Sequence, residues 1–416
     1  MAKKFFVYNL ACELRYLDCT KICKYLSING HEIVNNPSDA DIILFLTCGF
    51  TNYTRDFCLK KIEKFKKYDA ELIVAGCIPG TDKEKLLEIF SGRTLTTKDL
   101  DKIDEFFPEN KIKFNDIRDG HILYQNPTRP ANLTYIFNLF FKFDLIRKIY
   151  LLILISFGKI DVDTIFYSFS IKYPIFHLKV CSGCNGNCSY CAINRAIGKL
   201  KSKTIDKCVK EFKQGLEKGY KNFVLAADNV GSYGKDIDKN LAVLLKNLII
   251  LPGQYNIAIR EIGPYWIVKY NDELTNICKE GKITDIGIVV QSGSARILRL
   301  MNRYSNVNKI KDAIKRLRDS YPKLRLHTHI IIGFPSETKD EFEQTLSFVK
   351  EVNFDSGIIF QYSPKIGTEA ESIEPKIHND EMSRRLKYSN KFLKNLGYNV
   401  FNVNNNHLLF LRHKLA

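Results

Sequence analysis

Four cysteines fall within residues 181–191, CSGCNGNCSYC, separated by little except Gly, Ser and Asn. Thiols this dense suggest a metal site, and their spacing limits which one. Zinc commonly takes two C-x₂-C pairs brought together from separated turns. Here the pairs Cys181/Cys184 and Cys188/Cys191 are so close that little chain remains to close a four-ligand cage. The bacterial ferredoxin run is C-x₂-C-x₂-C-x₃-C-P, whereas this stretch runs x₂, x₃, x₂ with no Pro after it. The remaining parse is Cys184-x₃-Cys188-x₂-Cys191, with Tyr190 before the last ligand and Cys181 as a bystander at a strand end. Three thiolates on a [4Fe–4S] cluster leave one iron open, and an open position separates a reactive metal site from a structural one. The Gly and Asn residues let the backbone wrap closely and offer N–H groups to the cluster sulfides.

The elements that must hold these groups can be read from the apolar pattern. Residues 1–128 alternate strands (KKFFVYNL, HEIV, DIILFLTC, AELIVAGC) with helical stretches (LDCTKICKYLSI, RDFCLKKIEKFKKY). That alternation implies an α/β domain with a doubly wound parallel sheet. Cys12, Cys48 and Cys77 each follow a predicted strand. Carboxyl ends of parallel strands line a common crevice, so these three can converge despite their separation in sequence. Cys19, Cys23 and Cys58 fall within helices and read as buried structural thiols, as do Cys208 and Cys278 further on. Residues 174–370 carry six strand–helix units, from FHLKV to SGIIFQYS, which implies a parallel barrel short of the usual eight units. CSGCNGNCSYC follows the first of these strands, where barrel sites lie.

Other strand ends in this series carry polar groups. Gln291, Ser292 and Gly293 could meet a cofactor, although Ser292 could equally be a turn or cap residue. Asp228 and Asn229 face the site or shape a turn; Arg260 and Glu261 bind a ligand or form a buried pair. His327 and His329 alternate on one strand and so share a face.

Between the two domains, residues 129–173 form an apolar insert broken by Lys142, Asp144, Arg147 and Lys148. Its longest clean run, 149–157, is far short of the roughly 20 residues a membrane-spanning helix needs. A helix packed on a neighbouring domain is the first reading; an amphipathic helix on a membrane surface, through 131–157, is the second. Residues 371–416 read as a polar, basic tail. The first residues have no secretion signal, and twelve Cys in 416 residues is not a small disulfide scaffold, so a cytoplasmic chain with reduced thiols is expected. A net charge of +17, spread along the chain, favours polyanions or reflects a solvated Lys-rich surface.

CNGNCSYC resembles the cluster motif of radical S-adenosylmethionine enzymes, and the six strand–helix units resemble their partial barrel. VQSGSARILRLMNR (290–303), IIGFPSETKDEF (331–342) and QYSPKIGTEA (361–370), with the upstream cysteines, resemble the methylthiotransferase family within that superfamily. LAADNVGSYGKDI (225–237) is most similar to its archaeal and eukaryotic threonylcarbamoyladenosine type. The resemblance implies a methylthio group inserted at an unactivated C–H, at C2 of adenosine 37 in tRNA or, in other members, on a ribosomal-protein aspartate. The same sulfur-insertion chemistry on a peptide, a protein side chain or a small metabolite, or a non-catalytic iron–sulfur binding protein, are the alternatives. It further implies two [4Fe–4S] clusters, one on Cys184, Cys188 and Cys191 that binds S-adenosylmethionine, and one on Cys12, Cys48 and Cys77 that carries sulfur. Tyr190 takes the position that flanks the adenine. Asp228, Arg260, Gln291, Ser292 and Gly293 are the further cofactor-binding candidates. A reductant such as flavodoxin or ferredoxin and a monomeric state are expected.

Three departures accompany the resemblance. Ile197 stands where the archaeal type has Arg, with Arg195 nearby. His329 stands where the family has Asp. The β-rich TRAM domain that ends typical members is not evident after residue 370, so RNA contact is expected to rest on the basic surface.

Overall fold

The computed structural model describes residues 2–124, 174–404 and 406–412. The expected apolar insert, and with it the membrane-surface segment, lies outside the described residues. Among the described residues, no helix is long and apolar enough to cross a membrane. The described residues divide into two compact units, one of 2–124 with 192–199 and the other of 174–191 with 200–404 and 406–412.

The first unit is built on a five-stranded sheet of β1 (Lys4–Asn9), β2 (Glu32–Ile33), β3 (Ile42–Thr47), β4 (Glu71–Gly76) and β5 (Thr94–Thr96). The strand order is β2-β1-β3-β4-β5 and every pairing is parallel. Residues of β1 and β3 are buried on both faces, which is why they read as continuous apolar runs rather than alternating ones. Helices α1 (Glu13–Ile28) and α2 (Asn52–Phe65) pack on the sheet. Two apolar clusters result, one around Phe5, Ile22 and Phe107, the other around Phe45, Ile62 and Phe65.

The second unit holds six parallel strands: β6 (Ile175–Lys179), β7 (Asn222–Ala226), β8 (Asn256–Ile262), β9 (Ile283–Gln291), β10 (Arg325–Ile332) and β11 (Ser356–Gln361). Connecting helices include α3 (Ile205–Glu217), α4 (Leu241–Ile249), α5 (Val307–Ser320) and α6 (Lys339–Val352). The large apolar cluster between helices and sheet includes the Phe212 and Phe223 rings, which stack at 3.9 Å. The architecture is therefore α/β throughout, a parallel-sheet domain followed by a partial barrel.

The C-terminal residues depart from the expected tail. Helix α7 (Asn379–Asn395) is followed by β12 (Tyr398–Asn404) and β13 (His407–Arg412). β13 pairs antiparallel with β11, from Ser356 opposite Leu411 to Phe360 opposite His407, and β12 pairs with β13. The sheet thus has eight strands, in the order β12-β13-β11-β10-β9-β8-β7-β6. The physical reason is the exposed edge that β11 would otherwise present. Leu408, Leu409, Phe410 and Leu411 are all buried in covering it.

His407 gives this hairpin a pH dependence. Its ring packs edge-on against Phe360 at 4.9 Å, and burial lowers its pKa to about 4. The unfolded hairpin takes up a proton near pH 6.5 that the folded one refuses, so stability present above that pH is lost as pH falls toward 4. Between pH 7.5 and 5.5 the expected loss is about 1 kcal/mol, read as lower amide protection factors, corrected for the intrinsic exchange rate at each pH, across residues 398–404 and 407–412. His407→Phe should flatten that dependence.

Candidate active site

In the first unit, parallel register brings two of the three distant cysteines together. Leu46 lies opposite Asn9, and Thr47 lies opposite Gly76. Cys48 and Cys77 are therefore the next residues on adjacent strands, and Cys12 is three residues past the end of β1. Gly76 has φ +97, and a Cβ there would stand 2.5 Å from the Thr47 carbonyl oxygen, so this approach requires glycine. The Cys77 N–H donates to that same carbonyl at 3.0 Å. Cys48 and Cys77 are buried and Cys12 is partly exposed at the start of α1. Burial, and then repulsion from Cys77, Cys58 and Cys12, holds the Cys48 thiol well above its ordinary pKa. Crowded thiols of this kind ionise together when a cation compensates them.

Cys58 is the fourth thiol in this neighbourhood. It is fully buried on α2, and its sulfur accepts the Cys48 N–H at 3.4 Å from the core side. Cys19 is likewise buried in the core, and Cys23 is partly buried beside Tyr124.

In the second unit, Cys184, Cys188 and Cys191 lie on one loop, each partly exposed. The Gly186 N–H donates to Cys184 Sγ at 3.1 Å, and the Cys191 N–H closes a turn on the Cys188 carbonyl at 3.0 Å. The loop is pinned from three sides. Gly183 N–H donates to Asp228 Oδ2 at 2.9 Å, Leu200 N–H to Asn185 Oδ1 at 3.1 Å, and Ser189 Oγ to the Leu300 carbonyl at 2.6 Å. Asp228 therefore positions the loop at the carboxyl end of β7. Cys181 is buried, and its thiol donates to the Asn229 carbonyl at 3.9 Å. Burial, then the Asp228 charge, pushes that thiol far up, which keeps it protonated.

The remaining candidates separate into two groups. Gln291 ends β9 with φ +77, and its Oε1 is buried without a hydrogen-bond partner in the protein. Such an orphaned acceptor suits a bound ligand. Ser292 and Gly293 are engaged in packing against α6. Ser292 Oγ lies fully buried 3.2 Å from Thr345 Oγ1, and the Gly293 N–H donates to the same hydroxyl at 3.0 Å. A Cβ on Gly293 would come within 2.7 Å of the α6 backbone, so that residue exists for close approach. Arg260 is buried and reaches Glu261 Oε1 at 3.3 Å. With Glu261, Gly287, His327, Thr328 and His329 it lines a cavity of about 30 Å³. His327 is held between Asp285, at 3.1 Å, and Ser356. His329 packs edge-on against Phe360. Ile197, at the expected arginine position, is buried in the first unit.

One residue at this site had no assigned role in the sequence reading. Arg303 Nη1 donates to Tyr190 Oη at 3.2 Å and to Cys188 Sγ at 3.5 Å, and its Nη2 donates to the Val289 carbonyl of β9. It closes the QSGS segment quoted above, but nothing in the spacing links it to a cysteine 115 residues earlier.

The donor chemistry of the residues fits cubane clusters, with three thiols past the strand ends in the first unit and three on one loop in the second. Among the described residues, no three His, Cys, Asp or Glu side chains converge as one metal ion requires. A cubane spreads its thiolates around its corners. The loop of Cys184, Cys188 and Cys191 offers the Gly186 N–H to sulfur, and Gln291 at the end of β9 holds an orphaned acceptor.

Comparison with known proteins finds likenesses along most of the chain. Residues 178–349 match the Radical SAM superfamily, and residues 4–96 match a family described as uncharacterized protein family UPF0004. A probable threonylcarbamoyladenosine tRNA methylthiotransferase of Pyrococcus horikoshii is 28% identical over 366 residues, covering 88% of this chain and 78% of that protein. A tRNA-2-methylthio-N(6)-dimethylallyladenosine synthase of Clostridium botulinum is 30% identical over 391 residues, covering 92% and 79%. Among solved structures, the radical S-adenosylmethionine methyltransferase TsrM from Kitasatospora setae aligns over 89% of this chain and 77% of its own, with TM-score 0.59 and 10% identity. At that identity the likeness concerns the fold alone.

Proposed function

The chain belongs to the radical S-adenosylmethionine methylthiotransferase family, and from that membership we propose that it inserts a methylthio group at C2 of a modified adenosine, adenosine 37, in tRNA. The observation that supports this reading is a trio of cysteines in each unit: Cys12, Cys48 and Cys77 just past the ends of β1, β3 and β4, and Cys184, Cys188 and Cys191 on the one loop that follows β6. Cys184, Cys188 and Cys191 would hold one [4Fe–4S] cluster, and Cys12, Cys48 and Cys77 a second. When bound, the first supplies the electron that cleaves S-adenosylmethionine to a hydrogen-abstracting radical, and the second carries the sulfur to be inserted.

The protein's own part is to bind, orient and exclude water. Gly186 donates to the Cys184 sulfur, and Asp228 fixes the loop at Gly183. Tyr190 packs against the buried cluster formed by Ile297, Met301, Phe334, Tyr362 and Ala370, a setting that would keep its ring in place for an adenine. Gln291 offers its buried acceptor to the ribose or methionine part of the nucleoside. Arg260, with Glu261 and the two histidines, lines the cavity where a polar substrate group would enter.

An RNA acceptor is supported by the charge of +17 and by the outer face of α2. Tyr53 and Phe57 are about half exposed there, Lys60 and Lys64 follow at helical spacing, and Lys67 lies in the turn just beyond the helix. Aromatic rings beside a run of lysines suit unstacked bases and their phosphates. The test is nucleoside mass spectrometry of tRNA from a deletion strain. Loss of a methylthio adenosine is expected, and unchanged tRNA contradicts the proposed acceptor.

A further inference from the structure

Arg303 is a partly buried cation whose partners are a thiol, a phenol and a carbonyl. No carboxylate pairs with it among the described residues. Its Nε is sealed from solvent and makes no hydrogen bond. A guanidinium removed from water in this way is costly unless an anion stands opposite it. The same turn grips the cysteine loop through the backbone, since Ser189 N–H donates to the Met301 carbonyl at 3.2 Å. Arg303 N–H in turn closes the helix Ala295–Leu300 on the Leu298 carbonyl at 2.8 Å.

We propose that Arg303 is the counter-charge and hydrogen-bond donor of the cluster held by Cys184, Cys188 and Cys191, raising its reduction potential through the Cys188 sulfur while fixing Tyr190 beside it. This inference rests on the reading of those cysteines as cluster ligands. Donation to a ligand sulfur and a nearby positive charge both stabilise the more negative, reduced cluster. A single side chain thereby links the ease of reduction to the ring that flanks the nucleoside. Arg303 is a positioning residue: it acts through Cys188 and Tyr190.

The experiment is an EPR-monitored redox titration without S-adenosylmethionine, on the full chain with Cys12, Cys48 and Cys77 replaced by Ala so that one cluster is observed. Arg303→Gln should load iron as its parent does and titrate at a more negative potential. Arg303→Lys, which keeps the charge, should recover more than half of that shift. A Gln variant that titrates at the parent potential overturns the inference. Because substitution could disturb folding, the parent chain is also labelled with guanidino-¹⁵N arginine. Electron spin-echo modulation of the reduced cluster should then show a ¹⁵N coupling, and its absence equally overturns the inference. The underlying reading fails separately, if the parent binds no cluster and forms no 5′-deoxyadenosine.

Discussion

Replacing Cys188 by Ala should abolish formation of 5′-deoxyadenosine from S-adenosylmethionine and lower bound iron from about eight to about four per chain. Cys188 sits between the other two ligands on the loop, and Arg303 donates to its sulfur. The nearest spare thiol cannot stand in for it. Cys181 is buried, is bonded to the Asn229 carbonyl and is held protonated by burial and by Asp228. Cys181→Ala should accordingly leave iron and 5′-deoxyadenosine at the wild-type level. Loss of iron in Cys181→Ala, or wild-type iron in Cys188→Ala, would reverse the assignment of ligand and bystander. The measurements are iron analysis after anaerobic reconstitution and chromatography of the nucleoside product.

The second large effect separates the two clusters. Cys48→Ala should also remove about four irons, yet leave 5′-deoxyadenosine formation intact and eliminate the methylthio product. Register places Cys48 beside Cys77, and Cys12 lies close enough to raise its pKa, so loss of one thiol opens the set. Cys58 is the informative control because it is the adjacent thiol. It faces the Cys48 N–H from inside the core, together with Ile62 and Phe65. Cys58→Ala should therefore keep full iron, at the cost of a small cavity. If Cys58→Ala loses iron while Cys48→Ala does not, the second cluster is held differently.

Much of this was legible in the sequence, for identifiable reasons. β1, β3 and β4 are buried strands of a parallel sheet, so they appear as unbroken apolar runs, and the cysteines immediately after β3 and β4 inherit their placement from register. The spacing of Cys184, Cys188 and Cys191 is local, and the loop that holds them is equally local. What the sequence concealed is long-range. HLLFLR (407–412) is apolar enough to be a strand, but its role comes from the open edge of β11, which no local pattern reveals. Ser292 and Gly293 look like site residues because they follow a strand end, and only the approach of Thr345 on α6 shows that they are packed. Arg303 is the converse case. Its function depends on a turn that brings it across the barrel end to Cys188, and arginine as a type does not announce a sulfur partner.

The central claim is that a radical-generating cluster and a sulfur-carrying cluster act together on a tRNA nucleoside. It is tested most directly by incubating the reconstituted chain anaerobically with dithionite, S-adenosylmethionine and tRNA from a strain lacking the modification. Nucleosides from the digested tRNA are then analysed by mass spectrometry. The account predicts that 5′-deoxyadenosine and a methylthio adenosine appear together. Steady 5′-deoxyadenosine from protein carrying about eight irons, with no methylthio adenosine in the tRNA, would contradict it.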